Sequence, residues 1–390
     1  MNAAASGNEI AGRIGARAKA LGEWWRAPAP KQPIVVIQSD DWGRLGAPSL
    51  EMIDLLKARD PQFGNSPWDY YGLESEDDLH QLGDLLAGIR DRSGKPACFT
   101  ANFVMANPDL DATKADYYRQ IHWKPIVEGF PGPYSERLLP AYRRNIDRGV
   151  FYPGLHGASH FNPYEFLRAL NDQTEYGTRV RRLVDHGVSY SATQAPEYNF
   201  ALVSRHGSEV FLAEPLQREW IERGIDLFSV AFGFRPRTTC APGYRANAVT
   251  SRLWAEAQID CVQGFGRDPL VRRAGLLLLS RNVTFEPVFS EGDCVGKAVA
   301  EAKQAVSRGE PIIICSHSIS YISRYLERAA SSRVLLEDLL KTLLREFPDL
   351  RFASDADVAD AYGRSDWFRS ATASEIAGRS LRFARTTLGH

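Results

Sequence analysis

One stretch constrains the fold more than any other: Pro33 to Gly43, with the sequence PIVVIQSDDWG. Ile34, Val35, Val36 and Ile37 form an unbroken β-branched run, whereas a half-exposed strand would alternate apolar with polar residues. The run therefore reads as a strand buried on both faces, as in parallel sheets covered by helices. It stops at two adjacent carboxylates, Asp40 and Asp41. Neighbouring side chains on an extended backbone point to opposite faces, so a tight turn at Trp42-Gly43 is expected if both acids serve one site. Taken alone, the pair reads equally well as part of a site or as an acidic turn or helix N-cap.

The order strand then helix repeats along the chain. Ser49 to Lys57 starts like a capped helix, Asp77 to Arg90 is a second, and Ala97 to Met105 reads as the next strand. Val150-Phe151-Tyr152 runs through Pro153-Gly154-Leu155 into His156-Gly157-Ala158-Ser159-His160. Helical spacing covers 163–186 and 208–231, and Ile259 to Val262 and Pro311 to Cys315 are further strands, the last leading to Ser316-His317-Ser318. Leu335, Leu336, Leu339, Leu340, Leu343, Leu344 and Phe347 mark an amphipathic helix. Such alternation predicts an α/β fold, either a parallel barrel or an open sheet. Residues 1–32 read as an N-terminal arm, helical where Ile10, Ile14, Leu21 and Trp25 share a face, and residues 366–390 as a C-terminal tail.

Composition removes several function classes. Net charge is −1 with 24% charged residues, which offers nucleic acid no basic patch. No apolar run approaches the roughly 18 residues that span a bilayer. Five cysteines, Cys98, Cys240, Cys261, Cys294 and Cys315, are scattered and mostly set in apolar runs, as reduced core thiols are. With no secretory signal visible, the expectation is a cytoplasmic protein. Gly292 to Ala298 is one residue short of a phosphate loop and has Ala298 where Ser or Thr would bind magnesium, so it reads as a helix start. No Gly-x-Ser-x-Gly elbow is present.

Three strands end in ionisable residues: Asp40 and Asp41, His156 and His160, and His317. In a parallel barrel those ends share one rim and converge. Two histidines with a carboxylate form a ligand set suited to a divalent transition metal with positions left open. His156 and His160 are four residues apart, yet Gly157 stands where a zinc-protease helix has its Glu, so a loop placement is expected.

Ser39-Asp40-Asp41-Trp42-Gly43 resembles the Asp-Asp motif of polysaccharide deacetylases of the NodB-homology type, carbohydrate esterase family 4. His156 to His160 is similar to that family's His-x-x-x-His motif, Ala241-Pro242-Gly243-Tyr244 to its third motif, and Ile313 to His317 to its late strand ending in a catalytic histidine. The resemblance implies a distorted (β/α) barrel of about seven parallel strands, with residues 33–365 as the catalytic domain. It implies Asp41, His156 and His160 as ligands of a divalent metal, Zn2+ above others, and Asp40 as general base. It implies His317 as the acid that protonates the leaving amine and the backbone N–H of Tyr244 as an oxyanion donor. The implied activity is hydrolytic removal of an acetyl or other acyl group from a saccharide, N-deacetylation first. The oligomeric state is left open.

The third motif departs from the family. Ala241 stands where the family has the Arg that orients the base, and the nearest basic residue is Arg245, which either reaches Asp40 from the other side or is a surface turn residue. Trp42, Trp68, Tyr70, Tyr71, Trp123, Tyr134 and Tyr164 are candidates to face a sugar ring, with Trp42 and Trp123 foremost. Two other classes use the same residues: a saccharide-binding homologue without turnover, and a two-His-one-carboxylate iron oxygenase, whose usual all-β scaffold does not fit the alternation.

Overall fold

The computed structural model describes residues 27–131, 138–191, 195–204, 210–264, 270–322, 325 and 328–388. The part of the arm expected to be helical, with Ile10, Ile14, Leu21 and Trp25, lies outside the described residues, as does Tyr134.

A central sheet of ten strands organises the chain. They are β1 (Ile34–Trp42), β2 (Phe99–Phe103), β3 (Phe151–Leu155), β4 (Thr238–Cys240), β5 (Cys261–Gly264), β6 (Val271–Arg273), β7 (Leu276–Ser280), β8 (Val283–Thr284), β9 (Ile312–His317) and β10 (Arg351–Phe352). Hydrogen-bonded neighbours follow the path β6-β7-β5-β4-β3-β2-β1-β9-β8, with β10 beside the start of β1. Every pairing is parallel except β6 with β7. The path turns back on itself along the chain: only Arg281 and Asn282 separate β7, next to one end, from β8 at the other. Arg281 N–H donates to the Gly264 carbonyl of β5, and Asn282 N–H to the Ile313 carbonyl of β9.

β1 is buried along its whole length, as its unbroken apolar run requires. One face of the strand joins a core with the helices Glu76–Gly88, Leu138–Asp147, Glu214–Phe232, Cys294–Ser307 and Arg328–Glu346; Ile34 and Val36 on the other face pack with Leu277, Leu279 and Ile313. Helix starts follow the local chemistry. Ser75 and Asp78 cap each other's backbone at Glu76, and the Asp293 carboxylate accepts from Gly296 N–H, so Gly292 to Ala298 is a helix start.

Two segments between the expected strands and helices carry structure of their own. The region 60–78 contains a capped turn at Pro67–Tyr70, and Trp123 sits on a hairpin in which Ala106–Asp109 pairs with His122–Pro125. Phe368–Arg369 pairs with Ala29–Pro30, and the last helix is anchored by Arg379, whose guanidinium donates to the carbonyls of Ala27, Arg308 and Gly309.

Candidate metal and catalytic centre

Parallel strands leave their carboxyl ends on one side, and the ionisable residues collect there. In the β1–β9 register His317 stands opposite Asp40. The backbone reverses at Asp41, where φ is 72°, and the expected tight turn at Trp42-Gly43 follows at once: φ at Gly43 is also 72°, and Arg44 N–H donates to the Asp41 carbonyl at 3.3 Å. The pairing of β1 with β2 slips between Ser39 and Trp42, so the strand bulges and the usual alternation of side chains is broken.

His156 and His160 are brought together by a loop turn at Gly157. Its φ is 84°, and a Cβ there would lie 3.0 Å from the Ser159 carbonyl oxygen. His156 Nδ1 donates to the Cys240 carbonyl at 2.9 Å, and His160 Nδ1 to the Asn199 amide oxygen at 2.9 Å. Those acceptors fix the protons on Nδ1, so both Nε2 atoms present lone pairs. They face Asp41 Oδ1 at 3.5 and 3.2 Å. Burial, aided by the Arg44 guanidinium, pushes His160 down to about 4, which keeps it neutral at pH 7. Asp41 stays ionised against its burial because the Arg44 guanidinium holds it well below the usual carboxylate range. Asp41 Oδ1 is buried and has no hydrogen-bond partner among the described residues. Three acceptors converging with no proton between them form a set that a divalent cation satisfies.

Beside this set lies an ion-paired network. Asp40 Oδ1 accepts from Arg281 Nη2 (2.7 Å) and Asn102 Nδ2 (2.7 Å), and Oδ2 from Arg281 Nη1 (2.9 Å) and the Tyr244 hydroxyl (3.3 Å). Burial opposes ionisation of Asp40, but Arg281 outweighs it and keeps the carboxyl below its ordinary value. His317 Nε2 lies 3.7 Å from Asp40 Oδ2, and Nδ1 donates to Glu286 Oε1 at 2.5 Å. Burial alone would lower the imidazole; Glu286 and the Asp40 and Asp41 charges override it and raise His317 to about 9. Cys315, next to it in the strand, is pushed up to about 12 by burial, which leaves it an inert thiol.

Several expected placements change. Arg245 does not reach Asp40: its guanidinium lies over the Phe200 ring, 5.4 Å from the centroid. Arg281 takes that place. The Tyr244 backbone N–H is not offered to a ligand, because it donates to the Ala241 carbonyl at 2.8 Å and closes a tight turn; the hydroxyl is the part of Tyr244 that enters the site. Trp42 does not face a rim: it is 1% exposed, donates to Ser39 Oγ and packs against Phe99 and Phe151, so it is a core residue. Trp123 is partly buried and packs edge-on to Trp220. Trp68 is the aromatic beside His317, its ring edge-on to the imidazole at 5.2 Å and tilted over Phe289 at 4.9 Å.

No protein-family model matches the sequence, and no curated protein does. Among solved structures, the chain is similar to a protein assigned as a polysaccharide deacetylase from Mycobacterium smegmatis, at 15% identity and a TM-score of 0.43, covering 88% of this chain and 98% of that one. It is also similar to a CE4-family pseudoenzyme from Bacillus anthracis, at 10% identity and a TM-score of 0.36, covering 85% and 66%. A third is a family 4 acetyl xylan esterase from Clostridium thermocellum in complex with a cobalt ion, at 12% identity and a TM-score of 0.35, covering 83% and 89%. These likenesses are too low to decide the chemistry, which rests on the residues of the site.

Arg281 and Glu286 were open to the same reading of strand ends that found Asp40 and His317. Each follows a short apolar run, Leu276 to Leu279 and Val283 to Phe285. Asn199 and Asn102 left no signal, since an amide in a loop or a buried strand has no characteristic spacing.

Proposed function

We propose that the chain is a metal-dependent hydrolase that removes an acyl group from an acylated saccharide, with N-deacetylation as the first choice. The observation that carries this reading is Asp41 Oδ1, buried and unpartnered among the described residues, facing the Nε2 atoms of His156 and His160. These three residues would hold the cation, for which Zn2+ suits the two nitrogens and one oxygen. A divalent cation held there supplies Lewis-acid polarisation and brings the pKa of a bound water toward roughly 7.

The chain's own residues divide the proton transfers. Asp40, ionised and fixed by Arg281, takes a proton from the attacking water. His317, kept protonated by Glu286, gives its proton to the leaving nitrogen as the C–N bond breaks, so that an amine and a carboxylate result. Trp68 stands edge-on to His317 and packs on Phe289, and these two rings are the aromatic faces we assign to the saccharide.

The sheet fits a closed barrel of seven strands in this reading, because β7 and β8 are one segment that bonds to β5 on one side and β9 on the other. Residues 33–365 carry every residue of the site. Among the described residues no helix is long and apolar enough to cross a membrane, and all five thiols are unpaired, which suits the reducing cytoplasm.

A second reading, a saccharide-binding homologue without turnover, is favoured by one observation: both oxygens of Asp40 are already occupied by Arg281. Acetate release from acetylated sugars separates the two. Wild type is expected to release acetate and to hold about one equivalent of metal, Asp40→Asn to keep the metal without turnover, and His160→Ala to lose both. Full turnover by Asp40→Asn would remove the proposed base. Wild type that holds metal yet releases no acetate supports the binding reading.

A further inference from the structure

Arg44 is a buried guanidinium that the proposed chemistry leaves unused. Its backbone N–H donates to the Asp41 carbonyl at 3.3 Å, closing the turn that the positive φ of Asp41 opens. Its side chain doubles back, placing Nη1 3.3 Å from Asp41 Oδ2. The remainder lies among aromatic rings, with the guanidinium carbon 4.6 Å from the Tyr190 centroid, 5.2 Å from Tyr71 and 5.7 Å from Phe161. Nε and Nη2 are buried with no hydrogen-bond partner among the described residues. Ring faces attract a cation but do not neutralise it as a carboxylate does. Beyond its ion pair with Asp41, this positive charge has no hydrogen-bonded counterpart among the described residues, and it sits beside a carboxylate of the proposed metal set.

Resting on the metal reading above, we propose that Arg44 is a positioning residue for Asp41. It occupies Oδ2, so that Oδ1 alone is offered to the cation, and its charge holds down the affinity of the site for that cation. A cation bound by one carboxylate oxygen and two neutral imidazoles, next to a fixed positive charge, is left under-neutralised and withdraws electrons more strongly. The usual outer-shell partner accepts a proton from its ligand, and losing it weakens metal binding about 10- to 100-fold. Arg44 has the opposite sign. Like-charge repulsion at a buried site outweighs the restraint that Asp41 would lose, so removing the guanidinium tightens binding.

The test is a titration of zinc, in competition with a chromogenic chelator, into metal-free wild type, Arg44→Met and Arg44→Lys. Arg44→Met is expected to bind zinc at least about tenfold more tightly than wild type, reversing the usual sign of an outer-shell change. Arg44→Lys keeps the charge and is expected to keep the wild-type affinity. Metal-free Arg44→Met is expected to unfold at a lower temperature than metal-free wild type, because Asp41 has lost its counter-charge. Equal or weaker zinc binding by Arg44→Met overturns the inference. Should Arg44→Met fail to fold, Arg44→Gln, which keeps a donor near Oδ2 without the charge, is read in the same way. A wild type that binds no zinc removes the metal reading together with this inference; a wild type that binds zinc no less tightly than Arg44→Met removes the inference alone.

Discussion

Arg281 grips Asp40 with both ends of its guanidinium, Nη2 at 2.7 Å from Oδ1 and Nη1 at 2.9 Å from Oδ2. Both side chains are almost fully buried, so each is the other's main source of charge compensation. Removing one partner of such a pair strands the other charge in the interior. Arg281→Met is therefore expected to lower unfolding free energy by about 3–5 kcal/mol in urea denaturation and to raise the pKa of Asp40. A loss below about 1 kcal/mol, the range of exposed pairs, would mean that Asp40 finds other compensation.

The two ends of this ion pair differed in how far the sequence exposed them. Asp40 follows an apolar run that is unmistakable as a buried strand, and His156, His160 and His317 announce themselves by residue type at strand ends. Arg281 follows Leu276 to Ser280, an equally apolar run, but it lies in the short link between β7 and β8, where one strand leaves its partner for another. Local pattern carries no information about that exchange of partners. The same limit hid the reversal at Asp41. A positive φ at a non-glycine residue is imposed by the tertiary frame, here the slipped register between β1 and β2 together with the Tyr71 hydroxyl, which donates to the Asp41 carbonyl at 2.6 Å. Trp42 was misplaced because aromatic type indicates a sugar face and a core equally well.

Glu286 sets the charge state of His317. The folded value of about 9 lies above the ordinary 6.5, so the His317–Glu286 contact contributes stability that is fully present below pH 6.5 and is lost as pH rises through about 9. Glu286→Gln is expected to destabilise the protein at pH 6 and much less at pH 10. In the proposed reaction the imidazolium is the acid, so kcat/KM should fall as pH rises past about 9 in wild type and at a lower pH in Glu286→Gln. Superimposable pH–rate profiles for the two proteins would remove His317 as the acid.

A cation that binds the folded state alone stabilises it by mass action. With free zinc at about 1,000 times its Kd, unfolding free energy should rise by about 4 kcal/mol in wild type. His160→Ala removes one of three donors and should show little rise at the same zinc concentration. An equal rise in both proteins would place the bound zinc at another site of the folded chain.

Trp42 fills the space between Phe99 and Phe151, with ring centroids at 6.5 and 5.0 Å. Trp42→Ala is expected to cost about 3–5 kcal/mol of stability through the cavity it leaves, measured by urea denaturation at pH 7. A loss under about 1 kcal/mol would mean that the ring is not held in the core as its burial indicates.

Trp68 presents the opposite case. It is only partly buried, and it belongs to the Pro67–Tyr70 turn, which Ser66 and Asp69 cap without any help from the indole. Trp68→Ala should therefore leave the turn and the fold in place while removing the ring that stands edge-on to His317. If that ring stacks on the saccharide, its loss removes about 0.5–1.5 kcal/mol of contact, or a rise in KM of up to roughly tenfold. Because the ring packs on His317 without a hydrogen bond to either group that transfers a proton, kcat should change less than KM. Steady-state kinetics of acetate release over a range of saccharide concentrations separates the two parameters. An unchanged KM with a lowered kcat would assign Trp68 to holding His317 and Phe289 in place, and would leave the saccharide without an identified aromatic face.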